Sequence, residues 1–193
     1  MSSVFFLNPI SSVVNFTMCL SASQLNRKVK VLAERIGKET WPNKELYVLV
    51  ILNGAFVFAA DLVRELSKYH LSIHVEFCKV KSYLFTQKSN LETILKIPQS
   101  LKGKNVLIVD TIEDSGTTLQ WCQKELESLG CSKVRTVVLI TKKLTKDEHT
   151  DTNWYGFSLD KDTFYVGYGL DFRGKHRELP DIYSIAENKN SKN

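Results

Sequence analysis

Apolar positions along the chain follow two habits, continuous runs and helical spacing. Leu46 to Leu52 and Val106 to Val109 are apolar throughout, which marks strands buried on both faces, as in parallel sheets. Val134 to Ile140 reads as another strand, and Leu71 to Val80 alternates as a strand does. Ser21 and Gln24 form a capping box. After it Leu25, Val29, Leu32, Ala33 and Ile36 recur at helical spacing, so Ala22 to Ile36 is predicted as an amphipathic helix. Ala55 to Tyr69 and Leu119 to Leu129 read as two more helices. Trp154 to Leu159 and Phe164 to Gly169 read as short strands. Met1 to Met18 is apolar and Ser/Asn-rich without a clear period, and reads as an extended arm on the core or on a partner subunit. Lys81 to Ser100 is polar and weakly patterned, the signature of a mobile functional loop with short strands. Lys143 to Asn153 reads as a charged loop and 186–193 as a polar, frayed tail.

The order β-α-β-loop-β-α-β predicts an α/β fold: a doubly wound, mostly parallel sheet in one domain over 1–193, with a small hood. In that architecture ligands bind beyond the carboxyl ends of the strands. Three polar turns fall at such ends: Asn53-Gly54, Asp110 to Thr118, and Thr141 to Lys143.

Composition narrows the reading only a little. At 193 residues the chain can bury a full core, and a net charge of +5 suits a phosphorylated substrate as well as a nucleic-acid surface. Lysines are scattered among acids, so no basic nucleic-acid face is expected. No apolar run approaches membrane-spanning length, and the early apolar run lacks the basic flank of a secretory signal. Cys19, Cys78, Cys122 and Cys131 lie far apart without a C-x-x-C pair, which predicts reduced thiols and a cytoplasmic protein. His70 and His74 have no nearby Cys or acid pair to make a zinc site.

The chemistry concentrates between Val106 and Leu119. A buried strand leads into Asp110, Glu113 and Asp114, then Ser115-Gly116-Thr117-Thr118, then a helix. Amides of such a turn, with the helix N-terminus, form an anion cradle, and the hydroxyls of Ser115, Thr117 and Thr118 add donors. Carboxylates beside an anion cradle call for a divalent cation or for sugar hydroxyls to receive.

Taken together, these residues resemble the type I phosphoribosyltransferases, and among them the hypoxanthine-guanine phosphoribosyltransferases. Val106–Leu119 resembles the family's signature for phosphoribosyl pyrophosphate, Leu52-Asn53-Gly54-Ala55 its pyrophosphate loop, and Lys81-Ser82-Tyr83 the start of its flexible catalytic loop. Lys142 sits where the family reads the purine 6-oxo group. Val166 to Phe172, followed by Arg177-Glu178-Leu179-Pro180, resembles its C-terminal block. The resemblance runs from about Leu20 to Ile185 and implies transfer of 5-phosphoribosyl to a 6-oxopurine, with Mg²⁺ as cofactor, in a homodimer or homotetramer. It implies that Asp114 is the general acid/base at purine N7. Asp110 and Thr111, with Ser115, Gly116, Thr117 and Thr118, hold the ribose and 5′-phosphate, Asp110 directly or through metal-bound water. Leu52, Asn53, Gly54 and Arg177 receive pyrophosphate, with a non-proline cis peptide at Leu52–Asn53. Ser82 and Tyr83 belong to the closing loop. Lys142, Phe164 and Tyr165 bind the purine, Phe164 by stacking, and Asp171 contacts a metal.

The chain departs from the family in places. Thr111 stands where a second acid is usual; it brings no charge but can still bond a ribose hydroxyl or metal-bound water. Glu113 replaces an apolar residue and can partly compensate. Asn53 replaces the more usual Lys, one extra residue lies between Leu159 and Phe164, and Leu84 to Leu95 departs in detail from the family's loop. The missing acid keeps open a non-catalytic nucleotide-binding regulator on the same fold, and a xanthine-preferring transferase is a nearer alternative.

Overall fold

The computed structural model describes residues 3–6, 14–82, 91–142 and 152–185. Two sheets share the chain. The larger has six strands in the order β5-β4-β3-β6-β7-β8: β3 Glu45–Leu52, β4 Ser72–Ser82, β5 Leu91–Leu95, β6 Asn105–Glu113, β7 Lys133–Thr141 and β8 Trp154–Ser158. Every pairing in it is parallel except that of β4 with the edge strand β5. The smaller, antiparallel sheet is the hood, in the order β1-β2-β10-β9: β1 Ser3–Phe6, β2 Val14–Leu20, β9 Phe164–Val166 and β10 Ile182–Ile185.

The strands predicted from continuous apolar runs are the buried centre of the large sheet. Leu46, Val48 and Val50 face one layer and Leu49 and Ile51 the other. That alternation needs apolar side chains on both faces, which is why the sequence shows no polar alternation there. Helices α1 Ala22–Gly37 and α2 Phe56–Leu66 cover the first face through Leu25, Val29, Leu32, Ala33, Phe58 and Leu62. Helix α3 Thr117–Leu129 covers the second through Leu119, Cys122 and Leu126. The doubly wound arrangement thus follows from helices on both sides of a parallel sheet.

Helix boundaries follow local chemistry. Gln24 N donates to Ser21 Oγ at 3.4 Å and Ser21 N to Gln24 Oε1 at 2.8 Å, closing the predicted capping box. The second predicted helix stops early. It is α-helical to Leu66, tightens to a 3-10 turn over Ser67–Tyr69, and is ended by His70 in the left-handed region at φ 55°.

The hood differs most from the sequence pattern. The segment read as an extended arm on the core or on a partner subunit is extended in its described residues: β2 pairs antiparallel with β10, and Phe16 is buried against Val166, Tyr183 and Ile185. Strand β10 went unread in the sequence because four residues are too few to show a period. The polar insertion after β4 contains β5, while Tyr83–Asn90, including the Tyr83 of the predicted closing loop, lies outside the described residues. So do most of the charged loop after Lys142 and the 186–193 tail. All four cysteines are free thiols. Among the described residues no helix is long and apolar enough to cross a membrane.

The capping box makes the start of α1 testable. Ser21→Ala removes the acceptor of the Gln24 amide and is expected to lower unfolding stability by about 1 kcal/mol, read as a lower denaturant midpoint at unchanged slope.

Candidate active site

Strands β3, β6 and β7 end on the same side of the sheet because they run parallel, so their following turns converge. The Leu52–Asn53 peptide after β3 is cis, as the resemblance implied. The turns after β3, β6 and β7 meet the hood strand β9 and the segment after it around a cavity of about 340 Å³. Asn53, Gly54, Asp114 and Lys142 come to its wall from the sheet. Phe164, Tyr165, Asp171 and Arg177 come from the hood side. Eight of the residues singled out in the sequence therefore share one wall, though the chain separates the first from the last by more than a hundred residues.

The cavity has two chemically distinct ends. At one, Lys142 Nζ lies 3.6 Å from Asp114 Oδ2. The lysine is 11% exposed and the aspartate 68%, so a deep cation faces a carboxylate open to solvent. The Lys142 amide donates to Glu113 O at 2.9 Å, which ties the turn after β7 to the end of β6. Its ammonium also lies 5.8 Å from the centre of the Tyr165 ring. Phe164 lines the same cavity, 47% exposed and edge-on to Phe172. An exposed aromatic face beside a cation and a carboxylate can receive a flat heterocycle with an oxo group.

At the other end Arg177 dominates. Its Nη2 pairs with Asp171 Oδ1 at 2.6 Å and its Nη1 donates to Gly169 O at 2.6 Å. Asp171 Oδ2 accepts from the Gly174 amide at 2.7 Å. Among the described residues no three His, Cys, Asp or Glu side chains cluster tightly enough to cage a metal. A lone carboxylate suits Mg²⁺, which takes one or two protein carboxylates and fills its octahedron with water and substrate oxygens.

The anion cradle lies next in the chain to Asp114. Gly116 adopts φ 77°, a left-handed conformation suited to glycine, and starts α3. Gly116 itself supplies no side-chain cap, while the Thr117 amide donates to Ser115 Oγ at 3.4 Å. Ser115 Oγ and Thr117 Oγ1 lie 2.9 Å apart within the turn. A helix start with nearby hydroxyls can hold a phosphate. Asp110, Thr111 and Ser115 to Thr118 are not on the wall of the cavity, and neither is Leu52. Ser82 ends β4 beside Leu91 of β5.

Two residues are placed otherwise than the sequence suggested. Thr111 is fully buried, and its Oγ1 donates to Gly54 O at 3.0 Å, so its hydroxyl is not presented to a sugar. Glu113 is only 3% exposed, and its Oε2 accepts from Thr152 Oγ1 at 3.2 Å. It faces away from the cavity and cannot replace the missing acid. Both corrections have one cause: β6 continues to Glu113, so alternation turns Thr111 and Glu113 inward. Ile112, between them, lines the cavity together with Leu170. Neither was singled out as a site residue, though strand alternation past Val109 was a signal for Ile112.

The chain belongs to the phosphoribosyl transferase domain family, which it matches over residues 20–173. It is 31% identical over 166 residues to the hypoxanthine-guanine phosphoribosyltransferase of Dictyostelium discoideum, covering 85% of this chain and 92% of that one. It is 32% identical over 172 residues to the enzyme of that name from Aquifex aeolicus, covering 88% and 94%. Among solved structures, a hypoxanthine-guanine phosphoribosyltransferase from Bacillus anthracis superposes with a TM-score of 0.78 at 30% identity, covering 90% of this chain and 99% of that one.

Burial pushes the Asp110 carboxyl up to about 7, with Glu113 adding in the same direction and the amides of Thr111 and Ile112 opposing. A carboxyl raised in the folded state favours folding below its ordinary value near 3.8, and that contribution is lost as pH rises through about 7. Asp110→Asn is therefore expected to flatten the fall in melting temperature across that window and to melt higher than the parent at pH 8.

Proposed function

We propose that the cavity transfers 5-phosphoribosyl from phosphoribosyl pyrophosphate to N9 of hypoxanthine or guanine, giving IMP or GMP and pyrophosphate in purine salvage. The observation that carries this reading is the pair of Lys142 and Asp114, 3.6 Å apart at the cavity end that Phe164 flanks. An ammonium donates to a 6-oxo group and repels a 6-amino group, which selects hypoxanthine and guanine over adenine. Phe164 stacks on the purine plane. Asp114, open to solvent on the same edge, exchanges a proton with N7 as N9 forms its bond to C1′.

At the far end Arg177 and the Asn53-Gly54 turn receive pyrophosphate. The Gly116 turn and the start of α3 hold the 5′-phosphate, and Asp110 holds a ribose hydroxyl. This places charge where the reaction needs it. As the C1′–pyrophosphate bond breaks, positive charge grows on the ribose, as in glycoside chemistry, and negative charge on the leaving group. When bound, Mg²⁺ supplies neutralisation of that leaving group, held mainly by substrate oxygens with Asp171 as its protein carboxylate. Water has to be excluded from the site, because hydrolysis of the donor competes with transfer. The enzyme works as a homodimer or homotetramer in the cytoplasm.

A regulator that binds only the donor has no use for a cation and a carboxylate at the base end. With Mg²⁺ and phosphoribosyl pyrophosphate, purified protein is expected to convert hypoxanthine to IMP and to make no AMP from adenine. Tight donor binding without product from any of hypoxanthine, guanine, xanthine or adenine would instead establish the regulator. Asp114→Asn is expected to lower kcat by about a hundredfold or more, with little change in KM for the donor. Equal losses in both would remove its acid/base role.

A further inference from the structure

The carbonyl of Gly54 is gripped from two sides. From the sheet, the fully buried Thr111 donates its Oγ1 to Gly54 O at 3.0 Å. From the hood side, Gly169 packs at φ +96° so closely that a Cβ there would collide with Gly54 O. Gly169 is itself bound twice to Arg177. Its amide donates to Arg177 O at 2.9 Å, and its carbonyl accepts from Arg177 Nη1 at 2.6 Å. One chain of contacts therefore runs from β6, through the turn after the cis peptide, to the guanidinium beside Asp171.

Polarity decides what can stand at position 111. A carbonyl oxygen accepts and does not donate, so its partner must be a donor. An ionised acid at this place accepts only and would set a carboxylate against the carbonyl. The threonine hydroxyl supplies the donor without charge. Strand register brings the two together: β3 and β6 run parallel side by side up to the pair Val50 and Val109, shortly before Gly54 and Thr111 in their respective chains.

We propose that Thr111 is a positioning residue. It holds the Asn53-Gly54 turn in the conformation that receives pyrophosphate, by donating to the Gly54 carbonyl, and is not a ligand of the ribose. The exchange of the usual acid for threonine then changes how the pyrophosphate loop is secured and leaves the sugar to Asp110. This inference rests on the phosphoribosyl-transfer reading above and assigns a residue within it.

The test is steady-state kinetics in both directions on Thr111→Val, Thr111→Ser and Thr111→Asp. Valine keeps the shape and removes the donor. It is expected to raise KM for phosphoribosyl pyrophosphate, and for pyrophosphate in the reverse reaction, by about tenfold, the effect of one lost hydrogen bond to a buried carbonyl. KM for hypoxanthine and for IMP is expected to stay at the parent value, because the base end is not touched. Serine restores the donor and is expected to bring the pyrophosphate KM back toward the parent value. Aspartate is expected to be worse than valine. An unmoved pyrophosphate KM in Thr111→Val overturns the proposal, as does an equal rise for hypoxanthine, which would mean general loss of structure. A lower donor KM in Thr111→Asp also overturns it, since the position would then serve the sugar. If valine prevents folding, Thr111→Ala removes the same donor and takes its place. A parent protein that makes no IMP overturns the phosphoribosyl-transfer reading and this inference together, whereas an active parent with an unmoved valine variant overturns this inference alone.

Discussion

The site depends on the parallel pairing of three strands. Tyr47 to Val50 of β3 lie beside Val106 to Val109 of β6, and β6 in turn pairs with β7 from Asn105 to Glu113. Parallel strands release their chains at one edge, so the turns after β3, β6 and β7 open together. Nearly every cavity residue from the sheet takes its place from this register. It also explains why the strands are apolar throughout: layers on both faces leave no solvated side to a central strand.

On that frame the hood supplies what the sheet lacks. β9 delivers Phe164 and Tyr165 to the cavity wall, and the turns after it deliver Asp171 and Arg177. The hood is anchored from both chain ends, since β2 pairs with β10 and the Ala22 amide donates to Asp181 Oδ1 at 2.6 Å. Strand β2 thus completes the hood, with Phe16 buried in it.

The fold and most of the site were legible along the chain. The central strands announced themselves as unbroken apolar runs, and α1 by its capping box and the spacing from Leu25 to Ile36. The polar turns at three strand ends pointed to a shared site because a parallel sheet admits only one place for them to meet. Hood pairing was not legible. Ile182–Ile185 is short, and one of its two partners, β2, lies more than 150 residues away. Such a strand is defined by the edge it completes and carries no pattern of its own.

Position 111 marks the boundary between the two kinds of information. Residue types and spacing alone pointed to a parallel α/β frame and to polar, carboxylate-bearing turns at its strand ends, because these depend on local propensity and periodicity; the reading of Lys142 came from family resemblance. Which way each side chain of β6 turns beyond Val109 was decided only in the tertiary structure. There, continuation of the strand to Glu113 buries Thr111 and Glu113 and leaves Ile112 on the cavity. A one-residue slip in register would exchange the two faces, and that register is set by pairing with β7 and not by the side chains themselves.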